Sequence, residues 1–392
     1  MRMRDRLLLV GLCMSGASCG TMHGPAELSL GEPRQFETVE VRRRVVEPAE
    51  DAQGPRMQPL PDEVLGDVVR LVMQGKIGPD LQQHPIECVM YEGEWAREGS
   101  RDRRESRGVC VVVPGLLGTH SSGALVKGLI DDRWTVAVVW PPLVDRAKES
   151  MRESDGRSAA ERGVALARAV DALIENAARV AQSALISLQT RRPHLQGKPV
   201  LIVGESMGAM AGIGMAATGE VPFDAALFVA GGGDLITVTR GSSLRAFIDD
   251  DGLADSPEFI ESYLRECRFD PLRAGEALRG GPVAVITAAD DGIVPTSTQE
   301  ALWTTLGEPP RFLWDGGHFE LFWRSESTIV PVARRIADSV GDRSRAAEVL
   351  YRRVLEVVTP EEDEAARQEL REGIRLKRGD SGAGDDAHGS GP

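Results

Sequence analysis

At 392 residues the chain is long enough for one large or two small domains, and 60 acidic against 46 basic side chains leave a formal net charge of −14. A general nucleic-acid binder would carry a basic face, so that class of partner is excluded. No Cys-x-x-Cys or His-x-x-x-His spacing occurs, so metal catalysis finds no support, and no cofactor is expected.

The chain starts Met1-Arg2-Met3-Arg4-Asp5-Arg6, continues through an apolar run over 7–14 and then small residues up to Gly20, the three parts of a secretory signal peptide. The apolar core is too short to cross a bilayer as a helix. Small residues before Cys19 resemble the cleavage site of bacterial lipoproteins, which implies removal of residues 1–18, lipidation of Cys19 and a membrane contact through that anchor. Gly16 departs from the aliphatic residue usual there, so secretion after cleavage near Ala17 is the competing reading. Either route exports the protein to the cell envelope or beyond.

Residues 19–60 are rich in Glu, Arg, Pro and Gly without periodicity and read as a tether or extension. A single folded domain is expected over 61–358, opening with a helix over 61–76 whose apolar face is Val64, Leu65, Val68, Val69, Leu71 and Val72. Strands follow over 86–91 and 108–113, separated by a charged loop at 97–107. The second strand runs into Pro114-Gly115-Leu116-Leu117-Gly118. A helix near 124–131, a strand over 135–140 stopped by Pro141-Pro142, and a charged, exposed stretch at 145–157 come next. Ser158 and Glu161 have the spacing of a capping box and start a helix carrying Val164, Leu166, Val170, Leu173, Ile174 and Val180.

That helix leads to the apolar run Val200-Leu201-Ile202-Val203 and the pentapeptide Gly204-Glu205-Ser206-Met207-Gly208, followed by a small-residue helix over 209–217. A serine hydroxyl that must stand clear at the end of a strand needs a tight turn with bare neighbours, which explains the glycines. The bland alternative makes these packing glycines and Ser206 a helix cap. Downstream, a strand over 225–230 ends in the turn Gly231-Gly232-Gly233-Asp234, and 235–279 has the makings of a small helical cap. A strand over 282–287 ends in Ala288-Ala289-Asp290-Asp291-Gly292-Ile293-Val294-Pro295, and a further one over 311–314 ends in Asp315-Gly316-Gly317-His318. Helices near 328–340 and 345–357 precede a charged tail over 359–392, expected to be disordered in part. If Cys19 is lipidated, Cys88, Cys110 and Cys267 allow at most one disulfide, and the first two read as small buried side chains.

Ser206, an acid after the next strand but one, and a Gly-His beyond it resemble the α/β-hydrolase superfamily over about 86–340, with the triad in the order Ser, Asp, His. The resemblance implies a mostly parallel twisted sheet with helices on both faces and a small helical cap. It places the nucleophile at Ser206, the acid at Asp291 with Asp290 as nearest rival, and the base at His318. It further implies an oxyanion hole from the backbone N–H groups of Met207 and Leu116, although Pro114 stands where the family's loop has His. The implied activity is hydrolysis of carboxylic esters through an acyl-serine, on a small-molecule or acyl-ester substrate. A serine peptidase, a thioesterase or acyltransferase, and a non-catalytic envelope binding protein are the alternatives.

Overall fold

Apolar runs bounded by glycine and proline become strands, and among the described residues nine of them join in one sheet. The computed structural model describes residues 40–42, 69–75, 86–96, 106–115, 119–243, 245 and 252–340, all within the unit Glu32–Pro392. The expected leader with Cys19, most of the expected tether, Leu116, the helix expected at 345–357 and the tail at 359–392 lie outside the described residues.

The strands are β1 (Glu40–Arg42), β2 (Val69–Gly75), β3 (Ile86–Glu92), β4 (Gly108–Val113), β5 (Trp134–Trp140), β6 (Val200–Glu205), β7 (Ala225–Val229), β8 (Val283–Ala288) and β9 (Arg311–Trp314). Their spatial order is β1-β2-β3-β5-β4-β6-β7-β8-β9. β1 to β3 pair antiparallel, as does β3 with β5, and every later pair is parallel. Parallel neighbours need crossovers, and helices supply them. They are α1 (Thr119–Asp131), α2 (Leu143–Glu153), α3 (Ala159–Arg191), α4 (Met207–Ala217), α5 (Leu235–Gly241), α6 (Pro257–Glu266), α7 (Pro271–Ala277), α8 (Thr296–Thr305), α9 (His318–Trp323) and α10 (Ile329–Ser339). This strand order, with β4 flanked by β5 and β6, is the α/β-hydrolase fold. The chain reverses direction across the sheet at β4, and the carboxyl ends of β4 and β6 are therefore where a ligand crevice forms.

β4 to β8 are buried along their full length, as central parallel strands must be. On one face Cys110, Val112, Val138, Leu201 and Val229 share a core with Leu125 and Leu129 of α1 and Val330 and Ile336 of α10. α3 packs against β3, β5 and α4, and α4 in turn against β4, β6 and β7. α3 starts where the capping box placed it: Ser158 Oγ accepts from Glu161 N at 3.3 Å, and Glu161 Oε2 accepts from Ser158 N at 3.0 Å. Gly163 near its start lets α6 approach closely, since a Cβ there would lie 2.4 Å from Phe259 O.

Two expected elements differ. The described part of 61–76 is β2, paired with β3 from Val69↔Glu92 to Gly75↔Ile86, not a helix. Val69, Leu71 and Val72 fit both periods over so short a window, and pairing with the edge of β3 decides for strand. β1, inside the expected tether, continues the same antiparallel edge. The stretch at 145–157 is largely α2. Its charges are exposed at Asp145, Lys148 and Arg152, yet Leu143, Ala147 and Met151 recur at four-residue spacing, and the helix packs on α3. Cys88, Cys110 and Cys267 are buried free thiols, and burial pushes the Cys88 thiol up to about 12.

Candidate active site

β6 delivers Ser206 into a backbone conformation that helices and strands do not use, φ 55° and ψ −120°. A non-glycine residue held there costs about 1–3 kcal/mol and persists only where its surroundings hold it. Two features hold it. Ser206 N donates to Val229 O at 2.7 Å, and Ala209 N donates to Ser206 O at 2.9 Å. Gly208 closes the turn against β4, where a Cβ would lie 2.0 Å from Val113 O. The hydroxyl caps no helix. It meets His318 Nε2 at 2.8 Å.

His318 is the first residue of α9, presented by the turn Asp315-Gly316-Gly317 after β9. Its Nδ1 lies 2.7 Å from Asp291 Oδ2. Asp291 is buried just past β8, and its Oδ1 accepts from Ile293 N at 2.8 Å and Val294 N at 2.7 Å. The carboxylate thus closes its own turn with one oxygen and orients the imidazole with the other. Asp290 is exposed, and its backbone N–H donates to Gly316 O at 3.1 Å.

The sequence offered no sign of Gln299, on α8. Its buried amide donates to Asp291 Oδ2 at 3.1 Å and to Val294 O at 2.8 Å, while its Oε1 accepts from Ala288 N at 3.0 Å. The residue ties the carboxylate to the end of β8. Burial was the missing signal, because a Gln on a short helix is ordinarily solvated. Glu205, beside the serine, is also buried and accepts from Ser122 Oγ of α1.

Met207 opens α4, so its N–H has no intrahelical acceptor, and it sits at the positive end of the helix dipole. Leu116 lies outside the described residues. The preceding Gly115 abuts the serine, since a Cβ on it would be 2.9 Å from Ser206 Cβ. A cavity of about 370 Å³ opens beside Met207. Its walls are mainly apolar side chains of α2, α3, α5 and α6 together with Leu253 and Ala254, and Lys148 and Arg152 stand on its α2 side. Among the described residues no cluster of His, Cys, Asp and Glu is arranged to hold a metal ion, and no helix is long and apolar enough to cross a membrane.

Asp270, the N-cap of α7, braces this roof. Its carboxylate accepts from Leu235 N of α5 at 3.2 Å, from Tyr263 Oη of α6 at 3.1 Å and from Leu272 N at 3.2 Å. Burial, with Asp234 nearby, pushes its carboxyl up to about 7.

An imidazole between a strained serine hydroxyl and a buried carboxylate can accept the serine proton as the oxygen attacks a carbonyl. No family model and no curated protein matches the chain in sequence. In structure it is similar to the zinc-bound form of a cold-adapted esterase from an Arctic intertidal metagenomic library, with 15% identity, a TM-score of 0.42 and coverage of 68% of this chain and 94% of that one. A Pyrococcus furiosus esterase gives 13% identity and a TM-score of 0.42 over 78% and 98% of the two chains. An acylaminoacyl peptidase of Pyrococcus horikoshii gives 12% and 0.43 over 71% of this chain and 50% of that one. At these scores the resemblances bear on neither substrate nor mechanism, and the fold rests on the strand order and crossovers described above.

Proposed function

We propose that the protein is a serine hydrolase that cleaves carboxylic esters through an acyl-serine intermediate. The observation that carries this reading is the unbroken line from Ser206 Oγ through His318 to Asp291, at 2.8 and 2.7 Å. As Oγ attacks the ester carbonyl carbon, its proton passes to His318 Nε2, and Asp291 stabilises the imidazolium that results. The oxyanion takes a hydrogen bond from Met207 N–H, with Leu116 N–H as the second donor. Collapse breaks the bond to the leaving alcohol, which carries away the proton from Nε2. Water, deprotonated by the same nitrogen, then releases the acid and restores the serine. The same proposal, on the strength of the leader, puts this activity outside the cytoplasm with Cys19 as the lipid-bearing residue; intact-mass measurement of the membrane fraction tests it.

The experiment for the activity is fluorophosphonate labelling and turnover of p-nitrophenyl acetate, alongside an amide and a thioester of the same acid. Ser206→Ala is expected to abolish labelling and to lower kcat on the order of 10⁶-fold. Unchanged turnover in that variant would reject the reading and leave the binding-protein alternative standing.

A further inference from the structure

Two surfaces built on different elements adjoin residues of the triad: a mainly apolar cavity lined by Met207, next to Ser206, and an aromatic pair on α9, the helix that His318 begins. The leaving oxygen has to come within hydrogen-bond reach, about 2.6–3.2 Å, of His318 Nε2 to receive its proton. His318 is the first residue of α9, so the leaving group is released at the start of that helix. Phe322 packs its ring 4.9 Å from the imidazole, and Phe319 stands 6.0 Å from it on the same helix. Phe319 is 41% exposed and Trp323 74%, their rings 6.4 Å apart, so α9 presents two large exposed aromatic side chains, the first of them in contact with the base. The acyl chain is attached to the carbonyl carbon, whose oxygen faces Met207 N–H. The cavity of about 370 Å³ opens at that residue and contains no residue of α9.

We infer that the cavity takes the acyl chain and the aromatic pair on α9 takes the leaving group, so that the preferred substrates are esters of medium-length aliphatic acids with aryl or other flat apolar alcohols. This rests on the serine-hydrolase reading. A water claims about 30 Å³ of liquid and a methylene is of similar size, so the cavity holds on the order of ten chain atoms. Phe259 and Leu253 are among its walls, and because the cavity is open, a chain much longer than about ten atoms runs beyond them and gains no further burial. Each methylene buried is worth about fourfold in kcat/KM. The bond that breaks joins the carbonyl carbon to the alcohol oxygen, and the proton that alcohol gains is the one Ser206 gave up, so neither surface needs a further reactant.

The test is a matrix of esters: acetate, butanoate, octanoate and hexadecanoate, each with methyl and 2-naphthyl alcohols, on the full chain. Within the naphthyl series kcat/KM is expected to climb from acetate to octanoate and to gain little more at hexadecanoate. Ile236→Trp, which fills the cavity, is expected to lower the octanoate-to-acetate ratio at least about tenfold, and Leu166→Trp provides the same test from α3. Trp323→Ala is expected to lower the naphthyl-to-methyl ratio several-fold in acylation, while the deacylation rate, measured from one common acyl-enzyme, does not follow the alcohol. Fluorophosphonate labelling certifies that each variant is folded. A flat chain-length profile, or ratios untouched in labelled variants, overturns the inference and leaves Ser206-dependent hydrolysis standing. Absence of labelling in the unaltered protein overturns the serine-hydrolase reading and this inference with it.

Discussion

The floor and the roof of the site are held by different kinds of contact. On the floor, Ser206, Asp291 and His318 sit at the ends of β6, β8 and β9, and each is fixed by hydrogen bonds of 2.7–2.8 Å to its neighbour or to backbone. The roof, from α2, α5 and α6, is largely aliphatic packing around a cavity, with the carboxyl of Asp270 as its polar brace. Hydrogen bonds are directional and weaken steeply when distance or angle departs from the optimum, whereas apolar packing tolerates volume-conserving change. The same fold can thus keep one chemistry and vary its substrate by altering the roof.

Variants of the acid break the comparison most severely. Asp291→Asn leaves the floor packed but sets the imidazole in the wrong tautomer, and kcat is expected to fall about 10⁴-fold. Asp290→Asn, one residue away and exposed, should stay within about twofold. Steady-state kinetics on one ester separates them, and an equal loss at both would move the acid.

A smaller effect is expected one layer out. Gln299→Leu removes the amide donor at 3.1 Å from Asp291 Oδ2, and hydrogen bonds to charged groups are worth about 1.5–3 kcal/mol, so kcat/KM should drop about tenfold to a hundredfold. Unchanged kcat/KM in that variant would make Gln299 a packing residue only.

The roof responds to pH through Asp270. Because the fold raises this carboxyl to about 7, the folded chain binds the proton more tightly than the unfolded one, whose carboxyl titrates near 3.8. Its contribution to stability is complete below about pH 4 and is lost as the pH rises to about 7. Asp270→Asn cannot ionise, so its Tm relative to the unaltered protein should rise between about pH 5 and pH 8, whatever constant offset the amide introduces. Thermal melts at the two pH values measure it. A difference in Tm that does not change with pH would remove Asp270 as the titrating brace.

Much of the floor was legible because its signals are local. Glycine on either side of Ser206 follows from the close approach of backbone at both positions, as in the clash a Cβ at 208 would make with Val113 O, and the capping box at Ser158 and Glu161 is complete within one turn. Asp291 and His318 each follow an apolar run. Gln299 was invisible, since nothing near it in the chain shows that its amide is buried against a carboxylate eight residues earlier. β2 was read as a helix because its apolar residues suit both periods, and only β3 beside it selects one.

By itself the sequence determined the run of buried strands, the tight turn at Ser206 and the order in which Ser206, Asp291 and His318 appear. These depend on sterics and hydrogen bonds among residues a few positions apart, which short segments carry whole. The tertiary structure decided that Asp291 and not Asp290 faces the imidazole, that the charged stretch at 145–157 forms a helix lining a cavity, and how much room stands beside Met207. Those outcomes are set by how segments far apart in the chain exclude water between them, and burial of that kind exists only once the sheet has assembled.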